Sequence, residues 1–211
     1  GVQTCALPIC IADELGCRRV FVLTGRSLAT QTPVVTDLES ALGPRHAGTF
    51  AAMRQHAPRA DVDAATEAVR AAGADMLVGI GGSSVTDATK IVAVQVLGPD
   101  RPQADLPQIL VPTTLSAGEY TPASGMTGDT PGVKTYVIDP RMAPHSVVLD
   151  PEITLHTPME LWSSTGVKAI DHACEALWGP RPHPMTDTLA AEALRRIPAA
   201  LLRTQADPGD L

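Results

Sequence analysis

Gly81, Gly82, Ser83 and Ser84 follow a short apolar run, Met76 to Ile80, and precede Val85 to Lys90. The run reads as a strand buried on both faces. Two glycines then let the backbone turn sharply and approach a ligand closely, because neither carries a Cβ. Ser83 or Ser84 is placed to cap the helix that follows. A helix start after such a turn offers free N–H groups and a positive dipole end to an anion, most simply a nucleotide phosphate. Lys90 stands about two turns into that helix, where it can face the same anion. The same pattern also serves as a plain strand-to-helix joint. It is neither the Gly-x-x-x-x-Gly-Lys-Ser/Thr loop nor Gly-x-Gly-x-x-Gly.

These residues need a framework. Arg19 to Thr24 reads as a strand ending in Gly25-Arg26-Ser27. Thr32 to Leu42 reads as a helix, with Pro33 in its first turn and Gly43 at its end. Ala47 to Phe50 is a short strand. Asp61 to Ala72 is an amphipathic helix with Val62, Ala65, Ala68, Val69 and Ala72 on one face, Asp61 as its cap and Gly73 as its stop. The helix after Gly82 runs to about Leu97, and Gln108 to Val111 is a strand closed by Pro112-Thr113-Thr114. Strand and helix alternate, which predicts an α/β fold with a largely parallel sheet covered on both faces. Ligands of such sheets bind at the carboxyl ends of the strands. Thr24-Gly25-Arg26, Gly81-Gly82-Ser83 and Pro112-Thr113-Thr114 all fall there, and together they favour a nucleotide crevice.

From Leu115 to Pro158 Gly, Pro and Thr are frequent, with extended pieces at Lys134 to Ile138 and Ser146 to Leu149. Helical patterns return at Met159 to Trp178 and Met185 to Leu202. The expected division is a dinucleotide-binding domain over 10–157 and the start of a truncated all-helical domain over 158–211, after a non-native leader over 1–9. The chain stops at Asp207-Pro208-Gly209-Asp210-Leu211 without a closing element and reads as an internal fragment of a longer protein.

The 211 residues are 44% hydrophobic, enough for a packed core, but only 3% aromatic, so Ala, Val, Leu and Ile must build it. A net charge of −7 without a basic stripe argues against a nucleic-acid partner. No apolar stretch reaches membrane-spanning length, and no basic region precedes the first apolar residues as in a signal peptide. Cys5, Cys10, Cys17 and Cys174 form no Cys-x-x-Cys pair, so neither a disulfide framework nor a zinc site is expected. A cytoplasmic location follows as the expectation. Ser116-Ala117-Gly118 is not a serine-hydrolase elbow.

Four motifs, in order and spacing, resemble the iron-containing alcohol dehydrogenase family on the side nearest maleylacetate reductase. They are Gly81 to Lys90, Pro112 to Glu119, Val148-Leu149-Asp150-Pro151, and Gly166 to Leu177, which holds Lys168, Asp171, His172 and Glu175. The match runs from about 18 to 203. The resemblance implies a Rossmann-like dinucleotide-binding domain, a helical domain and a cleft between them. It also implies NAD(P)H as cofactor, a small carbonyl or alcohol as substrate, and a homodimer at full length. Gly81, Gly82 and Ser83 match the pyrophosphate turn, Asp87 a cofactor-site aspartate, Thr113 and Thr114 a pair beside the cofactor, and Lys134 a lysine of the cofactor cleft.

Two positions depart from the family pattern. Many members carry an acidic residue after the first strand for the ribose hydroxyls; here stands Thr24-Gly25-Arg26, and Arg26 can accept the 2′-phosphate of NADP. Metal-dependent members carry Asp-x-x-x-His for a divalent iron or zinc; here the positions are Lys168 and His172. A lysine ammonium has no lone pair for a metal. Asp171 cannot replace the aspartate, because adjacent helix residues point roughly 100° apart. His172 is thus the one metal ligand the pattern leaves. The resemblance then implies a branch that works without the metal; from its place in the ligand pattern, Lys168 is expected to stabilise the developing oxyanion and His172 to donate the proton. Lys168 paired with Asp171 or Glu175 in a purely structural role is the alternative. Other readings are a metal-dependent alcohol dehydrogenase, a sugar-phosphate dehydrogenase or dehydroquinate synthase-like enzyme, and an inactive cofactor-binding fragment. Of the remaining histidines, His46, His56, His145, His156 and His183, all lie in or beside predicted loops, and a structural role is expected for His56.

Overall fold

In a computed structural model the described residues are 2–99, 105–128 and 134–209. Gly1 of the expected leader, residues 100–104, residues 129–133 of the Gly- and Pro-rich stretch and the final Asp210-Leu211 lie outside them. The chain divides into two compact units. One comprises 1–113 and 118–153, the other 114–117 and 154–211.

The first unit is built on strands β1 (Val20–Thr24), β2 (His46–Phe50), β3 (Met76–Gly81), β4 (Gln108–Pro112) and, later in the chain, β7 (Ser146–Val147). They lie side by side in the order β2-β1-β3-β4-β7, all parallel. Helix α1 (Val2–Leu15) precedes β1, and α2 (Arg26–Gln31), α3 (Val34–Leu42), α4 (Arg59–Ala72) and α5 (Ser83–Leu97) lie between successive strands from β1 to β4. An antiparallel pair, β5 (Ala123–Thr127) with β6 (Lys134–Ile138), stands apart from the sheet.

Side-chain alternation along the strands explains the layering. Phe21, Leu23 and Leu77 pack with Val62, Ala65 and Val69 of α4 and with Val85, Ala88, Ile91 and Val92 of α5. Val20, Val22, Met76, Val78, Ile80, Ile109 and Val111 point the other way, onto Ala12 of α1 and Val34, Val35, Leu38 and Leu42 of α3. A sheet with two apolar faces and a helix layer on each is the α/β arrangement the alternating pattern predicts.

Several boundaries differ from expectation. The stretch after Thr24 is not an open loop, because Arg26 opens the short helix α2. Asp61 does not cap α4, which begins two residues earlier behind Pro58. Its carboxylate instead accepts hydrogen bonds from the Arg54 amide and guanidinium. β5 was not expected as a strand. Its five residues include Gly125 and Ser124, and it is defined by pairing with β6.

Gly79 marks the closest approach of sheet and helix. A Cβ there would meet the Thr89 hydroxyl of α5 at 2.3 Å and Leu110 at 3.0 Å. Both partners are fully buried or nearly so, so neither can swing aside. Gly79→Ala is expected to destabilise the unit by about 1–3 kcal/mol through overpacking. Urea titration of the variant against the parent checks it; an unchanged midpoint would contradict the tight α5–β3 contact.

The first unit ends within the short helix α6 (Pro151–Thr154), and the second holds α7 (Met159–Trp178) and α8 (Pro184–Ala206), which pack on each other. Gly166 of α7 is buried at that packing, where a Cβ would meet Leu201 of α8 at 2.5 Å. The short stretch 114–117 belongs to the same unit, where the Leu115 amide donates to the Thr165 hydroxyl at 3.2 Å. No described helix is long and apolar enough to cross a membrane.

Candidate functional site

The sheet order itself locates a ligand crevice. From β1 the chain steps to β2 on one side, then returns across β1 to β3 on the other. An order of this kind opens a crevice where the direction reverses, between the carboxyl ends of the first and third strands. Thr24, the last residue of β1, lies opposite Ile80 of β3, and Gly81 lies opposite Pro112 of β4. The Thr113 amide donates to the Gly81 carbonyl at 2.9 Å. The three polar strand ends therefore adjoin one another.

At their centre the backbone turns through Gly81, whose φ of +153° is a conformation that favours glycine. A Cβ on Gly81 would stand 2.8 Å from Val85, the residue that anchors the first turn of α5 in the core. Gly82 is the N-cap of α5 and gives no side-chain cap bond. This corrects the expectation that Ser83 or Ser84 caps the helix: both are its first residues. Their N–H groups have no acceptor within the helix, because intrahelical bonding begins with Val85 and Thr86 donating to the Gly82 carbonyl. An uncapped N-terminus at a switch point fits an anion. The fully buried Thr24 hydroxyl, which makes no hydrogen bond, adds a polar group at the same end of the sheet.

The Ser84 hydroxyl accepts from the His56 amide at 2.8 Å. Its own proton is therefore turned away from that amide. His56 and Ala57 both have positive φ, +64° and +45°, and the His56 carbonyl is held by the Thr127 amide and hydroxyl. His56 thus has a structural role, carried by its backbone.

Asp87 is half-buried one turn into α5. Burial pushes its carboxyl above the usual range, opposed first by the charge of Lys90 and then by that of Lys134. Lys134, the exposed first residue of β6, lays its side chain over Gly125, where a Cβ would stand 3.1 Å from Nζ. Gly81, Gly82, Ser83, Asp87, Thr113 and Lys134 are thus brought to one end of the first unit. Arg26 is exposed at the neighbouring end of β1, at the start of α2.

Lys90 departs from expectation. It does not face the anion. Its ammonium is fully buried and donates to the carbonyls of Gly118 at 2.7 Å, Thr121 at 3.0 Å and Ala123 at 2.6 Å. The helical period carries it to the side of α5 where the 118–123 stretch lies. Glu119, also buried, has one carboxylate oxygen without a hydrogen bond, and burial raises its pKa.

Thr114, Lys168 and His172 belong to the second unit. The Thr114 hydroxyl lies 3.4 Å from that of Ser116. Lys168 and His172 are exposed, one turn apart on α7. The Lys168 ammonium donates to the Asp171 carboxylate, as the structural alternative anticipates. That bond raises the lysine pKa and lowers that of Asp171. Lys168 is therefore a permanent cation near neutral pH. Among the described residues no three His, Cys, Asp or Glu side chains are grouped to hold a metal ion. His172 is a single nitrogen donor with an ammonium where a carboxylate would be needed, so the residues described do not fit a divalent ion.

Sheet order, glycine turn and uncapped helix define a Rossmann-like α/β fold. The chain belongs to the iron-containing alcohol dehydrogenase family, whose model matches residues 10–151. It is 37% identical over 203 residues to the maleylacetate reductase of Rhizobium sp. strain MTP-10005, covering 95% of this chain and 54% of that protein. The maleylacetate reductase of Sphingobium indicum is 35% identical over 204 residues, with the same coverage. Among solved structures, the Rhizobium sp. strain MTP-10005 maleylacetate reductase superposes with a TM-score of 0.85 at 34% identity, covering 100% of this chain and 56% of that one. The sulfoacetaldehyde reductase from Bifidobacterium kashiwanohense, solved in complex with NAD+, superposes with a TM-score of 0.91 at 25% identity, covering 100% and 58%. The chain spans about half the length of the curated relatives it matches.

Proposed function

We propose that the protein is an NAD(P)-dependent reductase that transfers hydride to a small carboxylated substrate, maleylacetate or a close relative. The carrying observation is the uncapped start of α5 at the β1–β3 switch point, built on Gly81 and Gly82. The amides of Ser83 and Ser84 hold the pyrophosphate, with Thr113 beside the turn. Asp87 and Lys134 supply an adjacent pair of opposite charges, and Arg26 takes the ribose end, where it admits a 2′-phosphate. The bound nicotinamide supplies the hydride. The relative solved with NAD+ and the run of maleylacetate reductases support this reading.

On the substrate side, Lys168 provides fixed positive charge for the oxyanion that forms when hydride arrives, and His172 provides the proton. The two roles are separable because the Asp171 bond holds Lys168 protonated as a fixed charge.

A steady-state assay of the full chain with maleylacetate and either NADH or NADPH tests the reading. Nucleotide oxidation that depends on maleylacetate is expected. Nucleotide binding without oxidation of either cofactor would overturn the reductase assignment for this chain and leave a binding unit.

A further inference from the structure

The three carbonyls that Lys90 engages all belong to one short stretch, 118–123, which continues into β5. Each N–H of the ammonium has an acceptor, so none is left for a ligand. Burying an ammonium is unfavourable unless its hydrogens are bonded, and packing alone is better served by an apolar side chain. The position therefore calls for what a charged donor does. Beyond Ala123 come Ser124 and Gly125, near the Asp87 carboxyl, and then Thr127, which holds His56. The His56 amide in turn holds Ser84 in the first turn of α5. The contacts close a circuit: α5 grips the stretch at Lys90, and the stretch returns to α5 at Ser84.

We infer that Lys90 is a positioning residue of the nucleotide site: it fixes the 118–127 stretch against α5 and thereby sets where Asp87 and Ser84 stand. This rests on the reading of the glycine turn as a nucleotide site. The charges facing Asp87 are Lys90 from its own helix and Lys134 from β6, while Glu119 faces Lys90 from the 118–120 turn. Burial raises Asp87 and lowers Lys90, and each partially restores the other's charge. Without the ammonium, Asp87 keeps only Lys134, and its carboxyl is protonated at a higher pH. Nucleotide affinity that depends on the carboxylate is then lost sooner as pH falls.

The test is a fluorescence titration of the full chain with NADH across pH, alongside thermal melting, for the native protein and Lys90→Met. The variant is expected to bind NADH about tenfold more weakly near neutrality, with the acid limb of its affinity profile moved to higher pH. Asp87→Asn in the native background is expected to remove that limb; a limb that persists there would overturn the inference independently. Should Lys90→Met not fold, Lys90→Gln, which keeps amide donors without the charge, is measured in its place with the same expectation. A Lys90 variant with native Kd and native pH profile, however low its Tm, would show a merely structural lysine. A native protein that binds no NADH would remove the nucleotide-site reading itself, and this inference with it.

Discussion

Gly81→Ala is expected to weaken NADH binding by at least ~10-fold, about 1.4 kcal/mol, while Tm falls by only a few degrees. The reason lies in two coupled constraints on one residue. Its φ of +153° is open to glycine and strained for alanine, at a cost of order 1–3 kcal/mol. The added Cβ would stand 2.8 Å from a Val85 methyl. Val85 is buried against the sheet and cannot turn away, so the start of α5 must move by a few tenths of an ångström. The amides of Ser83 and Ser84 move with it, and a pyrophosphate held by directed N–H bonds is sensitive to such displacement. The rest of the unit rests on the two apolar layers either side of the sheet and is little affected. Isothermal titration of both proteins measures the effect; equal affinities would mean that the nucleotide is held elsewhere.

The second large effect concerns Lys168. Lys168→Ala in the full chain is expected to lower kcat by about 10²–10³-fold, the usual consequence of removing one group that stabilises a developing oxyanion, with a smaller change in KM. The loss is expected to be the same before and after treatment with a chelator, because the Lys168 ammonium, which has no lone pair for a metal, stands one turn from His172. His172→Ala should give a comparable loss, because the proton donor is removed while the Lys168 charge remains. Unchanged turnover in Lys168→Ala would reduce the Lys168–Asp171 pair to an exposed i, i+3 surface contact of small energetic weight. Loss of native activity on chelation alone would restore a metal to the reaction.

The parts of the structure that were legible in the sequence are those specified locally. Met76 to Ile80 is an unbroken apolar run closed by two glycines, and it forms β3 and its turn as written. Asp61 to Ala72 carries a clear apolar face, and α4 follows it apart from an earlier start. β5 was illegible because its definition is not local: it exists through pairing with β6 and through the Lys90 ammonium on the Ala123 carbonyl. α2 spans six residues, too few for a helical period to register. The anion-facing role expected of Lys90 failed for a related reason. Spacing along α5 places the residue on one side of the helix, but only the long-range return of 118–123 to that side decides what the ammonium meets. The Asp87–Lys134 proximity joins two residues that the family resemblance named separately. The Ser84–His56 bond depends on a backbone turn with two positive φ values at His56 and Ala57, neither of which is glycine, and no residue type announces it.

The central claim is that the Gly81–Gly82 turn and the uncapped start of α5 cradle a nicotinamide dinucleotide. Titration of the full native chain with NADH and with NADPH, followed by nucleotide fluorescence, tests it most directly. Saturable micromolar binding of at least one of them, weakened by Gly81→Ala, is the predicted result. Absence of saturable binding by both, in a chain that melts cooperatively, would contradict it.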